Sequence, residues 1–118
     1  MKSLALINRH PPYGSSLSLE ALDAALAVGV FDPDLTIFFI DDGVLQLMPN
    51  QSTQPLATKS LEKGLTTLAA YGIDNVIING DDLAARGIQA DQIGIPITVK
   101  STSEIAILLT RFDMILSF

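Results

Sequence analysis

A continuous apolar run in the first half of the chain limits the folds that this sequence can adopt. Residues 35–40 read Leu-Thr-Ile-Phe-Phe-Ile, and Asp41, Asp42 and Gly43 end the run. A strand with one face in solvent would show polar residues at every second position, whereas this run is typical of a strand buried on both faces. Such strands lie in parallel sheets that helices cover on both sides, so the run predicts an α/β fold.

The rest of the chain alternates between strand and helix patterns, as this fold requires. Apolar runs predict further strands at residues 3–8, 75–79, 95–99 and 113–118. Helical spacing predicts helices at 16–28, 58–71 and 81–86, and a last helix after Ser101, which stands at capping-box distance from Glu104. We therefore predict one domain over residues 1–118, a three-layer α/β/α fold of flavodoxin-like architecture with a parallel sheet of about five strands.

Composition excludes several classes of function. The chain contains no cysteine, which excludes disulfides, thiolate zinc sites, iron–sulfur clusters and thiol catalysis by this chain. Its net charge of −6, with basic residues scattered along the sequence, disfavours direct contact with nucleic-acid phosphates. The apolar run near the N-terminus is too short for a signal peptide, and no run approaches the length of a membrane span, so we expect a cytoplasmic protein.

Polar residues follow the predicted strands, where open parallel sheets bind their ligands. Asp41, Asp42, Asp81 and Asp82 could supply a magnesium site, but aspartate is also common at strand ends and helix N-caps, and we expect no metal. His10 is the only histidine, lies beside two prolines and has no adjacent nucleophile, so we do not expect it to be catalytic. Phosphate-binding glycine motifs are absent from the sequence, and no cofactor is expected.

The segment after the apolar run is itself unusually apolar. It has two interpretations, a short helix that folds back on the core or a contact surface for another subunit, and the sequence favours neither. Aromatic residues and methionine are enriched at interface cores. The candidates for a subunit contact are therefore Phe38, Phe39, Val44, Leu45, Leu47 and Met48.

Five stretches of the sequence resemble the TusC/DsrF family of sulfur-relay subunits, at residues 11–14, 20–27, 35–49, 83–87 and 112–118. The most specific is Phe-Phe-Ile-x-Asp-Gly-Val-x-Gln-Leu, which begins at Phe38. The likeness extends from the first predicted strand to the last residue. It implies a DsrE/F/H-like fold shared by all three subunits of the complex.

The resemblance also implies a function and partners. In a TusBCD-type complex, sulfur passes as a persulfide from a TusA-like donor to a TusD-like subunit, then to a TusE-like acceptor, for 2-thiouridine formation at the tRNA wobble position. The C-type subunit is implied to form a heterohexamer with TusB-like and TusD-like subunits. A DsrF-type role in dissimilatory sulfur oxidation is the alternative that this resemblance leaves open.

The acceptor cysteine of the TusD-like partner does not carry over to this chain. It follows the third strand, eight positions before the glycine of an Arg-Gly pair, and the position that matches it here is Asn79. An amide cannot form a persulfide, which requires a thiolate. The resemblance therefore implies a non-catalytic structural subunit. Two rivals from other classes are a stand-alone metal-dependent enzyme that uses the aspartate pairs and a small-molecule sensor that uses the crevice at the strand ends.

Overall fold

The structure of the protein is a computed structural model, which describes residues 3–10, 20, 24, 25, 27, 34–47, 75–93 and 97–118. Five parallel strands form one sheet in the order β4-β3-β2-β1-β5. They are β1 Leu4–Asn8, β2 Leu35–Phe39, β3 Val76–Asn79, β4 Thr98–Lys100 and β5 Met114–Ser117. The helices whose bounds are described are the α-helices α1 Gly80–Ala85 and α2 Thr102–Leu109 and the 3₁₀ helices Asp41–Leu47 and Ala90–Gln92.

The sheet is most deeply buried at its centre. Every residue of β1 is buried, and so is every residue of β2 except the half-buried Thr36. The two strands pair in register from Leu4 with Leu35 to Asn8 with Phe39. Apolar residues that fill both faces of adjacent parallel strands require a layer on each side of the sheet, and the prediction from the 35–40 run is confirmed.

Alternate residues of the central strands contribute to two separate apolar clusters. On one face Leu6, Ile37 and Phe39 pack with Val44 and Leu47 of the long 3₁₀ helix, with Leu83 of α1 and with Ala25. On the opposite face Ala5, Ile7 and Phe38 pack with Ile105 of α2. The Phe38 and Phe112 rings meet edge to face there, with their centroids 5.6 Å apart. The fold is therefore a three-layer α/β fold around a parallel sheet, as predicted.

The last helix begins where the sequence indicates. The Ser101 hydroxyl accepts the Glu104 N–H at 3.2 Å, and the Glu104 carboxylate accepts the Ser101 N–H at 2.9 Å. This is the reciprocal capping box, and it satisfies two backbone donors that would otherwise lack partners.

Other predicted elements are shifted, or fall outside the described residues. Strand β4 begins three residues later than the predicted 95–99 and lies at the sheet edge. Glu20, Ala24, Ala25 and Ala27 are helical, as expected within 16–28, whereas the predicted helix at 58–71 lies outside the described residues. Among the helices of the described part of the chain, none is long and apolar enough to cross a membrane.

Candidate functional site

A cavity of about 730 Å³ opens at the carboxyl ends of the strands. The chain progresses from β1 through β2 and β3 to β4, and then returns to the opposite side of β1 as β5. The ends of β1 and β5 therefore meet at the point where strand order reverses, which is the general ligand-binding position of open α/β sheets. The cavity is lined by Arg9, His10, Asp41, Asp42, Arg86, Ser117 and Phe118.

Of the described residues that line this cavity, Arg9 and Arg86 are arginines, and Arg86 is the more firmly held. Its Nη2 lies 2.9 Å from Oδ1 of Asp42, and its Nη1 donates to the main-chain oxygen of Asp82 at 3.1 Å. The same guanidinium lies 3.7 Å from the Asp82 carboxylate, one helical turn away along α1. The Arg86 Nε also donates to the same Asp42 oxygen at 3.1 Å. These four contacts to two segments hold the Arg86 side chain in one position and join α1 to the 3₁₀ helix that follows β2.

Arg9 is held less firmly than Arg86. Its Nε and Nη2 both contact one oxygen of Asp41, each at 3.4 Å. About half of each of these two side chains is exposed to solvent. An exposed pair at this distance contributes little to stability, because water screens the attraction and two flexible side chains must be ordered.

Asp41 adopts an uncommon backbone conformation at the end of β2. Its φ angle is +50°, in the left-handed region that aspartate enters more readily than most residues. Its main-chain N–H donates to Oδ2 of Asp82 at 2.7 Å, a short, charge-assisted hydrogen bond. The Asp82 carboxylate thus holds the chain reversal that places Asp41 and Asp42 on the cavity wall.

Gly43 is required by a close approach of two backbones. A Cβ atom at this position would lie 2.0 Å from the main-chain oxygen of Asn8 and 2.6 Å from its carbonyl carbon. Ile40 N–H donates to the same Asn8 oxygen at 3.0 Å, and Gly43 N–H donates to Ile40 O at 2.8 Å. The Asp-Asp-Gly sequence therefore joins the end of β2 closely to the end of β1.

Two buried amides support the same region. The Gln46 Nε2 donates to His10 O at 2.9 Å, and the Asn8 Nδ2 donates to Phe38 O at 3.3 Å. Both side chains are buried, and buried polar groups are stabilising only when they are hydrogen-bonded. Gln46 is a supporting residue that was not predicted, although a single amide among Val44, Leu45 and Leu47 is a signal for it in the sequence.

Asn79, which the resemblance matches to the acceptor cysteine of a TusD-like subunit, is buried and has a structural role. Its Oδ1 accepts the Asp82 N–H at 3.0 Å, which makes it the N-cap of α1. Its Nδ2 donates to Oγ1 of Thr102 at 3.1 Å, at the start of α2. One side chain thus connects the beginnings of two helices that follow neighbouring strands.

The aspartates proposed as an alternative metal site each have a protein partner. The Arg86 guanidinium faces Asp42 and Asp82, and Arg9 faces Asp41. The Thr102 N–H donates to Asp81 at 2.9 Å, and this hydrogen bond lowers the pKa of the Asp81 carboxyl. Among the described residues there is no group of three or more histidine, cysteine, aspartate or glutamate side chains placed to hold a metal ion.

The candidates for a subunit contact divide into three groups. Phe38 and Phe39 of β2 are buried in the chain's own core, and so are Val44 and Leu47 of the 3₁₀ helix, which pack as the fold-back interpretation expects. Leu45 is half-buried and packs against the core cluster from its edge. Met48 lies outside the described residues. The subunit contact stays a prediction, and among the described candidates Leu45 is the one that keeps exposed surface for a partner.

Comparison with known proteins gives one consistent family. The model of the DsrE/DsrF-like family matches residues 2–118. A protein of Pseudomonas aeruginosa named "Protein TusC homolog" is 33% identical over 116 residues, which cover 98% of each chain. The "Intracellular sulfur oxidation protein DsrF" of Allochromatium vinosum is 34% identical over 93 residues, which cover 79% of this chain and 68% of that protein. The crystal structure of the ychN protein from E. coli superposes with a TM-score of 0.86 over the whole of both chains at 22% identity, which supports the fold.

Proposed function

The chain belongs to the DsrE/DsrF-like family, and from this premise we propose that it is a non-catalytic structural subunit of a cytoplasmic sulfur-relay complex of the TusBCD type. Its partners are TusB-like and TusD-like subunits in a heterohexamer. The complex takes persulfide sulfur from a TusA-like donor and passes it to a TusE-like acceptor for 2-thiouridine formation at the tRNA wobble position. The TusC names of full-length relatives support this assignment.

The observation that carries the proposal is the role of Asn79. A persulfide carrier requires an accessible thiolate, whereas this chain has no cysteine, and the residue at the matching position is 5% exposed. The Asn79 amide is already committed to the N-cap of α1 and to Thr102. The position that would carry sulfur in a partner subunit instead stabilises the fold here.

A DsrF-type role in sulfur oxidation is the second candidate. It is favoured by the relative named DsrF, whose identity to this chain is similar to that of the TusC homolog. The two roles share a scaffold function and differ in the destination of the sulfur. Neighbouring genes separate them, because dissimilatory sulfite reductase genes should accompany only the DsrF-type subunit.

Co-expression with TusB-like and TusD-like subunits tests the assembly. We expect one complex on size-exclusion chromatography, with all three chains identified by mass spectrometry. Incubation with a persulfide donor should then add sulfur to the TusD-like chain and leave the intact mass of this chain unchanged. A stoichiometric sulfur adduct on this chain, or failure to associate with either partner, would contradict the proposal.

An Asn79→Cys variant provides a matched control for the sulfur assay. The new thiol would replace a buried, hydrogen-bonded amide, so we expect it to react slowly with a thiol reagent and to cost about 1 kcal/mol of stability through the lost N-cap. An Asn79→Cys chain that accepts sulfur as readily as the TusD-like subunit would show that the position is open, and that burial is not what distinguishes the two subunits.

A further inference from the structure

Among the described residues that line the strand-end cavity, the charged side chains are equal in number for the two signs. Arg9 and Arg86 contribute two positive groups, and Asp41 and Asp42 contribute two negative groups. This balance differs from that of the whole chain, whose net charge is −6. A multiply charged anion such as phosphate would meet two carboxylates at the cavity wall, and a simple cation would meet two guanidinium groups. The cavity therefore suits a ligand that carries one charge of each sign.

The two ion pairs of the cavity differ in how easily they open. Arg86 is held by Asp42 at 2.9 Å and by the main-chain oxygen of Asp82 at 3.1 Å, and its side chain is 27% exposed. Arg9 and Asp41 lie 3.4 Å apart, and each is about half exposed. Both guanidinium groups direct Nε and Nη2 at a single carboxylate oxygen, at 3.4 Å for each nitrogen of Arg9 and at 3.1 and 2.9 Å for those of Arg86. The Arg9–Asp41 pair is therefore the easier one to open because it is longer and more exposed and has, among the described residues, no further partner like the Asp82 oxygen that holds Arg86.

Opening the Arg9–Asp41 pair would expose a guanidinium and a carboxylate side by side. A ligand carboxylate can then bind Arg9 through both oxygens, while a ligand ammonium binds Asp41. Each protein charge exchanges a weak partner for a new one, and neither is left unpaired. A ligand with a carboxylate alone would leave Asp41 unpaired next to the bound anion, which makes the exchange less favourable.

The remaining lining groups define the rest of the ligand. Phe118, Ser117 and His10 complete the described lining. Phe118 lies beside Arg9, whose main-chain N–H donates to the Phe118 oxygen at 2.9 Å, and it is the apolar residue of this lining. The main chain at His10 is held in place by Gln46, whose side-chain amide donates to the His10 oxygen at 2.9 Å. The volume of about 730 Å³ is within the range of small-molecule sites.

We propose that this cavity binds a small zwitterion of the α-amino-acid type, with its carboxylate on Arg9, its ammonium on Asp41 and an apolar side chain against Phe118. The inference does not depend on the relay function, because it rests on the cavity alone. It gives the strand-end crevice of this chain a binding role separate from sulfur transfer.

Three probes of the same shape test the charge requirement. L-phenylalanine, 3-phenylpropanoate and 2-phenylethylamine are titrated into the full chain and followed by NMR chemical shifts of the Arg9, Asp41 and Ser117 amides. We expect the chemical shifts to saturate with phenylalanine at a dissociation constant on the order of millimolar. Each singly charged analogue should bind at least about tenfold more weakly. Equal binding of phenylalanine and 3-phenylpropanoate, or no saturable shift with any probe, would overturn the proposal.

Charge variants locate the site. Arg9→Gln and Asp41→Asn should each weaken phenylalanine binding about tenfold. Arg111→Gln and Asp91→Asn remove exposed charges outside the cavity lining and should leave binding unchanged. The fold of each variant is checked by its amide spectrum, which should overlay the native spectrum for residues away from the cavity. Loss of binding in the control variants but not in the cavity variants would place the zwitterion elsewhere and refute the assignment.

Discussion

Among the described glycines, Gly43 is the one whose replacement by alanine should be most damaging. The new Cβ would lie 2.0 Å from Asn8 O, whereas carbon and oxygen in van der Waals contact lie more than about 3 Å apart. Both partners are main chain, so no rotamer change relieves the clash. The end of β2 must move by about 1 Å from the end of β1, in a region where packing is dense.

The loss of stability is the sum of the overpacking and of the contacts that this movement breaks. Overpacking in a core typically costs about 1–3 kcal/mol. The Ile40–Asn8 hydrogen bond, at 3.0 Å, lies across the same junction, and losing it adds about 1 kcal/mol. We therefore expect Gly43→Ala to lower the free energy of unfolding by about 3 kcal/mol and the melting temperature by roughly 10 °C.

Urea unfolding followed by circular dichroism measures this loss, and Gly87→Ala provides the matched control. Gly87 has a φ angle of +68°, and a Cβ atom added there would meet no other atom within 4 Å, so its cost is conformational only, about 1 kcal/mol. A Gly43→Ala variant no less stable than Gly87→Ala would refute the steric argument and the close junction of β1 with β2.

Three further predictions concern other parts of the fold. Arg86→Gln should lower stability by about 1–2 kcal/mol, with a smaller loss at high salt, since it removes two ion pairs of a partly buried guanidinium. Hydrogen bonds from Thr102 and Ser101 lower the pKa values of Asp81 and Glu104 respectively. The two carboxylates should therefore stabilise the folded chain above their ordinary pKa values of 3.8 and 4.5, and this stabilisation should be lost as the pH falls further. Thermal unfolding of a variant with both Asp81→Asn and Glu104→Gln should depend less on pH in the acid range. Leu47→Asp should unfold the chain, because it places a charge in the core. Leu45→Asp should keep a native circular dichroism spectrum and weaken assembly with the TusB-like and TusD-like subunits. Unchanged assembly of the Leu45→Asp variant would show that this segment is not part of the interface.

The sequence predicts the elements whose signals are local. The apolar run at 35–40 needs no tertiary information, because strands that are apolar at nearly every position have few alternatives to a covered parallel sheet. The capping box of Ser101 and Glu104 is equally local, because both partners lie within one turn. The bounds of strand β4 are predicted less accurately, because its three residues are mostly exposed and carry a weak apolar signal.

The candidate site is harder to predict because its contacts join distant segments. Arg86 meets Asp42 across 44 positions, and Gln46 meets His10 across 36. Spacing alone cannot reveal such pairs. The apolar segment after β2 shows the same difficulty, because Val44 and Leu47 look identical in sequence whether they face the core or a partner, and only the packing against β1 and β2 distinguishes the two.

The position of β5 beside β1 has a consequence for how the chain folds. Leu4 of β1 pairs with Leu35 of β2 on one side and with Met114 of β5 on the other. The first pairing closes a loop of about 30 residues, and the second closes a loop of about 110. The longer closure costs about 1 kcal/mol more in chain entropy, which favours docking of β5 after the β1–β2 pair has formed. Until then the free edge of β1 is a template for any strand of similar character, including β5 of a second molecule. Refolding at high protein concentration should therefore favour exchanged dimers and aggregates, and dilution should favour pairing of β5 with β1 of the same chain.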